Sequence, residues 1–286
     1  MKYAFMAANE QEFSLKRMCQ VLGVSRSGYY AWRQHSQSLR ERANEALLAE
    51  IRAVYQLSRK TYGSPRIHAY LRRKGFFCGR HRVARLMHLN QIVARKAHRN
   101  HPMTTQQCPG AKTAPNLLNR EFSASLPNQK WVSDITYIDT TEGWLYLASI
   151  LDLYSRLVVG WAMADQMDVS LVEKAWQMAL LTRRPQAGLL HHSDRGSQYT
   201  SEAYQDHLDA SQCTVSMSRT GNCYDNAVME SFFATLKAEC ATIQFKSKAE
   251  ARTAIFEFIE GWYNRQRLHS SLDYLSPVEF EHSSGH

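Results

Sequence analysis

Three carboxylates and one ammonium carry the chemistry that this chain's spacing allows. Asp134 lies in WVSDITYI, Asp194 in LLHHSDRGSQYTS and Glu230 in DNAVMESFFATLK, with 35 residues between the second and the third. Lys237 follows Glu230 by seven positions, two helical turns along one face. Carboxylates crowded into a cleft repel one another, so their convergence makes sense where divalent cations neutralise them. Magnesium and manganese prefer oxygen ligands, and two such ions about 3.5–4 Å apart stabilise both the attacking and the leaving oxygen of a phosphoryl transfer. Any one of these acids alone reads as a surface or capping residue. Together, in strand-like, strand-end and helical settings, they point to metal-assisted phosphodiester chemistry.

The elements that must position them follow from the pattern after Gln129. WVSDITYIDT, WLYLASILDLYS and RLVVGWAMA read as successive strands rich in aromatic and β-branched residues. A helix is expected near 170–182, then the apolar run GLLHHSD, a helix near 201–210, a strand-like TVSMS, and the Glu230 helix after the loop SRTGNCYDN. Three strands and then alternating helices and strands predict an α/β domain with a mixed sheet. Residues 249–263 predict an amphipathic helix, with Ile255, Phe258, Ile259, Trp262 and Tyr263 on one face.

Ahead of this domain the chain is strongly basic. Residues 1–127 hold 22 Lys and Arg against 6 Asp and Glu, +16; the remaining 159 residues hold 13 against 20, −7; the total is +9. Such asymmetry reads as nucleic-acid binding joined to a metal-dependent core. Residues 14–34 predict a helix-turn-helix: Leu15, Met18 and Leu22 form an apolar stripe, Gly23 the turn, and Ser25 the cap of a second helix. Arg26 and Arg33 are its candidate phosphate contacts. Residues 41–92 predict three further helices. Ser64 and Pro65 open the second, and the third presents Arg80, Arg82 and Arg85. The expected organisation is a helix-turn-helix over 1–36, a helical DNA-binding module over 37–100, a linker over 101–127, and a catalytic core with a C-terminal helix over 128–286.

Other classes are disfavoured. No run of eighteen apolar residues exists to span a membrane. The six cysteines are scattered with no CxxC pair, which argues against a disulfide framework or a structural zinc site and fits a cytoplasmic protein. His191 and His192 precede Asp194, but hard cations favour oxygen, so packing or hydrogen bonding is the expected role of both. Asp152 in ILDLYSR is expected to be structural.

The strings WVSDITYI, ILDLYSR, HHSDRGSQY, DNAVMESFFATLKAE and YNRQRLHSSL, with YGSPRI and the helix-turn-helix before them, resemble the DDE transposases of bacterial insertion sequences. The nearest resemblance is to the second-frame (OrfB) product of the insertion-sequence-three family, whose core is similar to retroviral integrase and ribonuclease H. It implies that Asp134 bridges two Mg²⁺ ions (Mn²⁺ substituting) while Asp194 and Glu230 each complete one site. Lys237 would lie along DNA phosphates. Arg195, Gln198 and Tyr199 would position DNA or hold the local structure. Cleavage at element ends and joining of the 3′-hydroxyl to DNA would follow, by a homo-oligomer on DNA in the bacterial cytoplasm, at the nucleoid, with an upstream first-frame product as a further partner. The alternatives are a nuclease of the same fold that does not join strands and an inactive DNA-binding regulator.

Overall fold

Six helices precede the first strand. The computed structural model describes residues 2–34, 38–95, 113–220, 222–241 and 244–283. The first three helices are α1 (Lys2–Ala8), α2 (Leu15–Leu22) and α3 (Arg26–Gln34). Gly23 ends α2 in the left-handed conformation, with φ of 62°, where a side chain is disfavoured. Ser25 Oγ accepts from Gly28 N–H at 3.0 Å, the expected cap. Helix α1 is not evident in the sequence; it completes a small core of Met6, Met18, Cys19 and Tyr29.

The second group is α4 (Leu39–Leu57), α5 (Ser64–Arg73) and α6 (Arg80–Leu89). A capping box between Ser38 and Glu41 starts α4. At the start of α5 the cap is Gly63 rather than Ser64, which is already helical, with Pro65 in the first turn. Leu47, Ile51, Val54, Ile67, Leu71 and Val83 from these helices share one continuous apolar cluster with Leu145, Met229, Phe258 and Trp262 of the later chain. Tyr62 is central to that joint: its hydroxyl accepts from Leu268 N–H at 2.7 Å and its ring lies against Trp262.

The sheet has five strands in the order β3-β2-β1-β4-β5: β1 (Lys130–Thr140), β2 (Gly143–Asp152), β3 (Val158–Ala164), β4 (Leu190–Ser193) and β5 (Thr214–Met217). The first three run antiparallel, and β4 and β5 run parallel to β1, giving the expected mixed sheet. One face packs on α7 (Val169–Arg183) and α8 (Glu202–Ala210) through Trp131, Ile150, Trp176 and Tyr204. At Gly160 in β3 an added Cβ would sit 2.7 Å from Ala179 Cβ, so only glycine lets α7 lie this close. The other face packs on α9 (Ala227–Glu239) and α10 (Lys248–Phe256).

Helix α10 does not continue as a plain α-helix to residue 263. Glu257–Tyr263 is π-helical, and Asn264 N–H donates to Ile259 O across five residues at 3.0 Å. The wider turn lets Phe258, Ile259, Trp262 and Tyr263 all be buried. It also delivers Asn264 to the sheet, where its side chain bonds both Val158 N–H and Val158 O at 3.0 Å. Helix α11 (Pro277–Ser283) closes the chain. Residues 113–122, within the expected linker, lie along the core: Ser216 Oγ accepts from Leu117 and Leu118 N–H, and Leu118 is buried. The earlier part of that segment, 96–112, lies outside the described residues. Among the described residues no helix is long and apolar enough to cross a membrane.

Candidate active site

Strand pairing brings the first two carboxylates together. The β1–β4 ladder ends at Val132↔His192. Asp134 and Asp194 each lie two residues past that pair, Asp134 within β1 and Asp194 just beyond the end of the neighbouring β4, strands about 4.8 Å apart. Asp194 is the first residue after β4, at the carboxyl end of a parallel strand, where open α/β sheets place their ligands. Its Oδ1 accepts from Gly196 N–H at 2.9 Å, which orients the carboxylate over the turn. Asp134 Oδ1 accepts from Ile135 N–H at 2.8 Å.

Glu230 arrives on the first turn of α9. The helix is tied to β1 at its start, where Asn226 Nδ2 donates to Ser133 O at 3.2 Å, and along its length by Met229, Phe232 and Leu236 in the core. The electrostatics register the convergence. Burial raises the Asp134 pKa well above the ordinary carboxylate value, and the negative charges of Asp194 and Glu230 push it further. The Ile135 hydrogen bond and the Lys237 charge oppose that rise. Lys237 is half-buried with its Nζ 4.6 Å from the centre of the Tyr137 ring; burial lowers its pKa while Asp134 raises it.

The donor set suits a hard divalent cation. A carboxylate buried beside two like charges gains from a cation between them. Among the described residues no three His, Cys, Asp or Glu side chains form a ready metal cage. That is compatible with magnesium, which keeps several waters and takes one or two carboxylates together with substrate phosphates.

The histidines beside Asp194 are occupied elsewhere. His191 Nε2 is 3.1 Å from Ser133 Oγ and 3.3 Å from Tyr204 Oη, and burial lowers its pKa to about 3. His192 Nδ1 lies 2.8 Å from Ser216 Oγ and its Nε2 3.1 Å from Ser218 Oγ; burial takes its pKa to about 4. Both are neutral at pH 7. Asp152 is a buried backbone anchor, accepting from Asn128 and Tyr154 N–H at 2.7 and 2.9 Å.

The candidate DNA contacts divide. Arg195 Nε donates to Ser218 O at 2.8 Å and Nη1 to Thr220 Oγ1 at 3.0 Å, which ties the Asp194 turn to the loop before α9. Arg33 pairs with Glu10 at 2.6 Å and Arg82 donates to Asn44 at 2.9 Å, so both brace their own modules. Arg26, Arg80 and Arg85 are exposed.

One residue near the site escapes sequence reasoning. Asp225 is fully buried just ahead of α9 and gathers Arg219 (Nε 2.9 Å, Nη2 2.9 Å, N–H 3.0 Å), Arg120 (3.0 Å) and Asn116 (2.8 Å). The Arg219 hydrogen bond is the largest of the effects that hold its pKa far below the usual range. This clasp joins residues 116–120 to the loop that launches Glu230. Only the Asp-Asn pair before the helix hinted at it.

Comparison with known proteins places the chain among transposases and integrase core domains. Residues 124–223 and 211–277 match integrase core domain families, and residues 41–100 match an HTH-like domain family. The chain is 42% identical over 287 residues to the transposase InsF for insertion sequence IS3A of Escherichia coli (strain K12), covering 99% of each. It is 48% identical over 264 residues to the insertion element IS600 uncharacterized 31 kDa protein of Shigella sonnei, covering 92% of this chain and 97% of the relative. Among solved structures, a simian T-cell lymphotropic virus intasome chain aligns at 14% identity and a TM-score of 0.47, covering 77% of this chain and 74% of that one. The HTLV-2 integrase catalytic core domain in complex with magnesium aligns at 14% and 0.42, covering 56% and 99%.

Proposed function

Because the chain belongs to the IS3 family of insertion-sequence transposases, with an HTH-like segment ahead of an integrase core domain, we propose that Asp134, Asp194 and Glu230 are its catalytic trio. The observation that supports this most is the convergence of the Asp194 and Glu230 charges on the partly buried Asp134. Asp134, Asp194 and Glu230 would together hold the divalent cations. Mg²⁺ there, or Mn²⁺ in its place, supplies charge neutralisation and an activated water or 3′-hydroxyl for in-line phosphoryl transfer.

The chain's own residues do the positioning. The β1–β4 ladder fixes the two aspartates, and the Asn226–Ser133 bond and the Asp225 clasp fix the height of α9. Lys237 follows the DNA backbone as a point charge two turns along that helix. Arg195 serves the site by holding the Asp194 turn. Arg26, Arg80 and Arg85 are the exposed candidates for phosphate contact, while Arg33 and Arg82 hold the modules in shape. Water attack at an element end is followed by attack of the freed 3′-hydroxyl on a second phosphodiester. Two ends must meet, so the working form is a homo-oligomer on DNA in the bacterial cytoplasm, at the nucleoid, assisted by an upstream first-frame product.

End cleavage and joining on labelled element-end DNA test this. Asp134→Asn, Asp194→Asn and Glu230→Gln should each lower both steps on the order of 10³-fold or more, with DNA binding retained. Cutting without joining would favour a nuclease, and unchanged activity in all three variants would remove the trio from the reaction.

A further inference from the structure

A basic recess lies on the reverse of α9 from the carboxylates. Val228, Ser231 and Thr235 line it at helical spacing, while Glu230 and Lys237 sit about half a turn away around the same helix. The cavity measures about 330 Å³ and Ser231, Ser270 and Ser271 are exposed at its rim. That is far more room than one water needs, and lies in the roughly 300–1,000 Å³ range of small-ligand sites.

Four basic side chains reach it from separate parts of the chain. Arg66 comes from α5, Arg156 from the turn after β2, and Arg267 and His269 from the segment after the π-helical stretch. Glu239 neutralises one of them, lying 2.9 and 3.0 Å from Arg267 Nη2 and Nε. Arg66 Nε, Arg156 Nη1 and His269 Nε2 are buried with no hydrogen-bond partner among the described residues. Arg156 spends one amino group on Phe122 O at 2.7 Å, and the Arg66 guanidinium lies over the Tyr62 ring. Crowding is severe enough that burial, and then the charges of Arg267, Arg66 and Arg156, drive His269 well below its usual pKa, so the ring is neutral. Crowded guanidiniums with no salt bridge among the described residues, as for Arg66 and Arg156, are unfavourable, and an anion in the recess beside them offsets that crowding.

We infer that this recess is a phosphate-binding site, separate from the carboxylate centre, in which Arg66, Arg156 and His269 grip one phosphate group. Arg66, Arg156 and His269 come to the recess from three separate parts of the chain, so positive charge lines it from more than one element. Guanidinium forks pair well with phosphate oxygens. His269 donates through Nε2 in the tautomer with its proton there. A DNA phosphate and a free phosphate ion present the same chemistry.

The test uses the full chain without divalent cations. Inorganic phosphate should raise the melting temperature by several degrees more than sodium chloride at equal ionic strength, because it binds only the folded state. Arg66→Gln and Arg156→Gln should lose that extra shift, and Arg66→Lys should keep a reduced one. In chloride Arg66→Gln should melt no lower than the wild type, since a crowded cation has gone. Broadening of the phosphorus resonance of inorganic phosphate by the wild-type chain gives a second measure that needs no variant. Displacement of the phosphate by a duplex without terminal phosphates identifies a backbone phosphate as occupant. Displacement only by a 5′-phosphorylated duplex identifies a terminal one, and displacement by neither identifies the free ion. Equal shifts in phosphate and chloride, or full shifts in the glutamine variants, would overturn the site. Asp134→Asn should keep the phosphate shift, so this result stands apart from the fate of the catalytic trio.

Discussion

Two aspartates near the α9 start, Asp134 partly buried and Asp225 fully so, behave in opposite ways. Asp134 has its pKa raised above the ordinary 3.8, so between that value and its own the folded chain binds more protons than the unfolded chain. Stability therefore falls as pH rises through that interval. Without divalent cations, the wild type should lose stability relative to Asp134→Asn as pH is raised from about 4 towards neutrality. Adding Mg²⁺ should stabilise the wild type more than the variant; urea unfolding at each pH measures both effects. Asp225 is the reverse case, with a depressed pKa, so its stabilisation is present above about 3.8 and lost as pH falls. Asp225→Asn should cost about 2 kcal/mol at pH 7, below the roughly 3–5 kcal/mol of a fully buried pair, because Arg120 and Arg219 are half-exposed. The gap between variant and wild type should narrow in acid.

Helix α9 divides its faces between the core, the proposed catalytic side and the basic recess. Lys237 shares the Glu230 side at seven-residue spacing, and Tyr137 steadies its ammonium. Lys237→Ala should weaken DNA binding alike for all sequences and reduce the salt slope by about 1, measured by titration across a salt series. This element was legible in the sequence because its register, its neighbours and the 35-residue gap are local facts. The succession of strands and helices along the chain was legible for the same reason. The π-helical turn at Glu257–Tyr263 was not, because the apolar stripe fits an α-helix as well, and what selects the wider turn is the distant Val158 backbone that Asn264 must reach. Arg33 and Arg82 were legible as basic residues but not as braces, since Glu10 and Asn44 lie 23 and 38 positions away. The Asp225 clasp has the same character: three of its partners' contacts cross loops that carry no periodic signal.

At the scale of the molecule, the α4–α6 bundle and the sheet share one apolar cluster. Arg73 pairs with Glu279 and donates to Tyr274 O, and Arg59 lies over the Phe258 ring, so polar and aromatic contacts lock the same joint. Tyr62→Phe would leave the buried Leu268 N–H without its acceptor and should cost about 1–3 kcal/mol. Calorimetry on residues 38–283 should show one cooperative transition for bundle and sheet in both proteins, with the variant melting lower.

The Tyr62–Leu268 joint has a metrical consequence. A helix bundle seated against the sheet would work as a ruler: DNA held, as proposed, by the exposed arginines of α6 would meet the carboxylates at an offset set by packed side chains. The cut should therefore fall a constant number of base pairs from the bound sequence. Lengthening the chain between residues 96 and 112 should leave that number unchanged, whereas loosening the joint should scatter it.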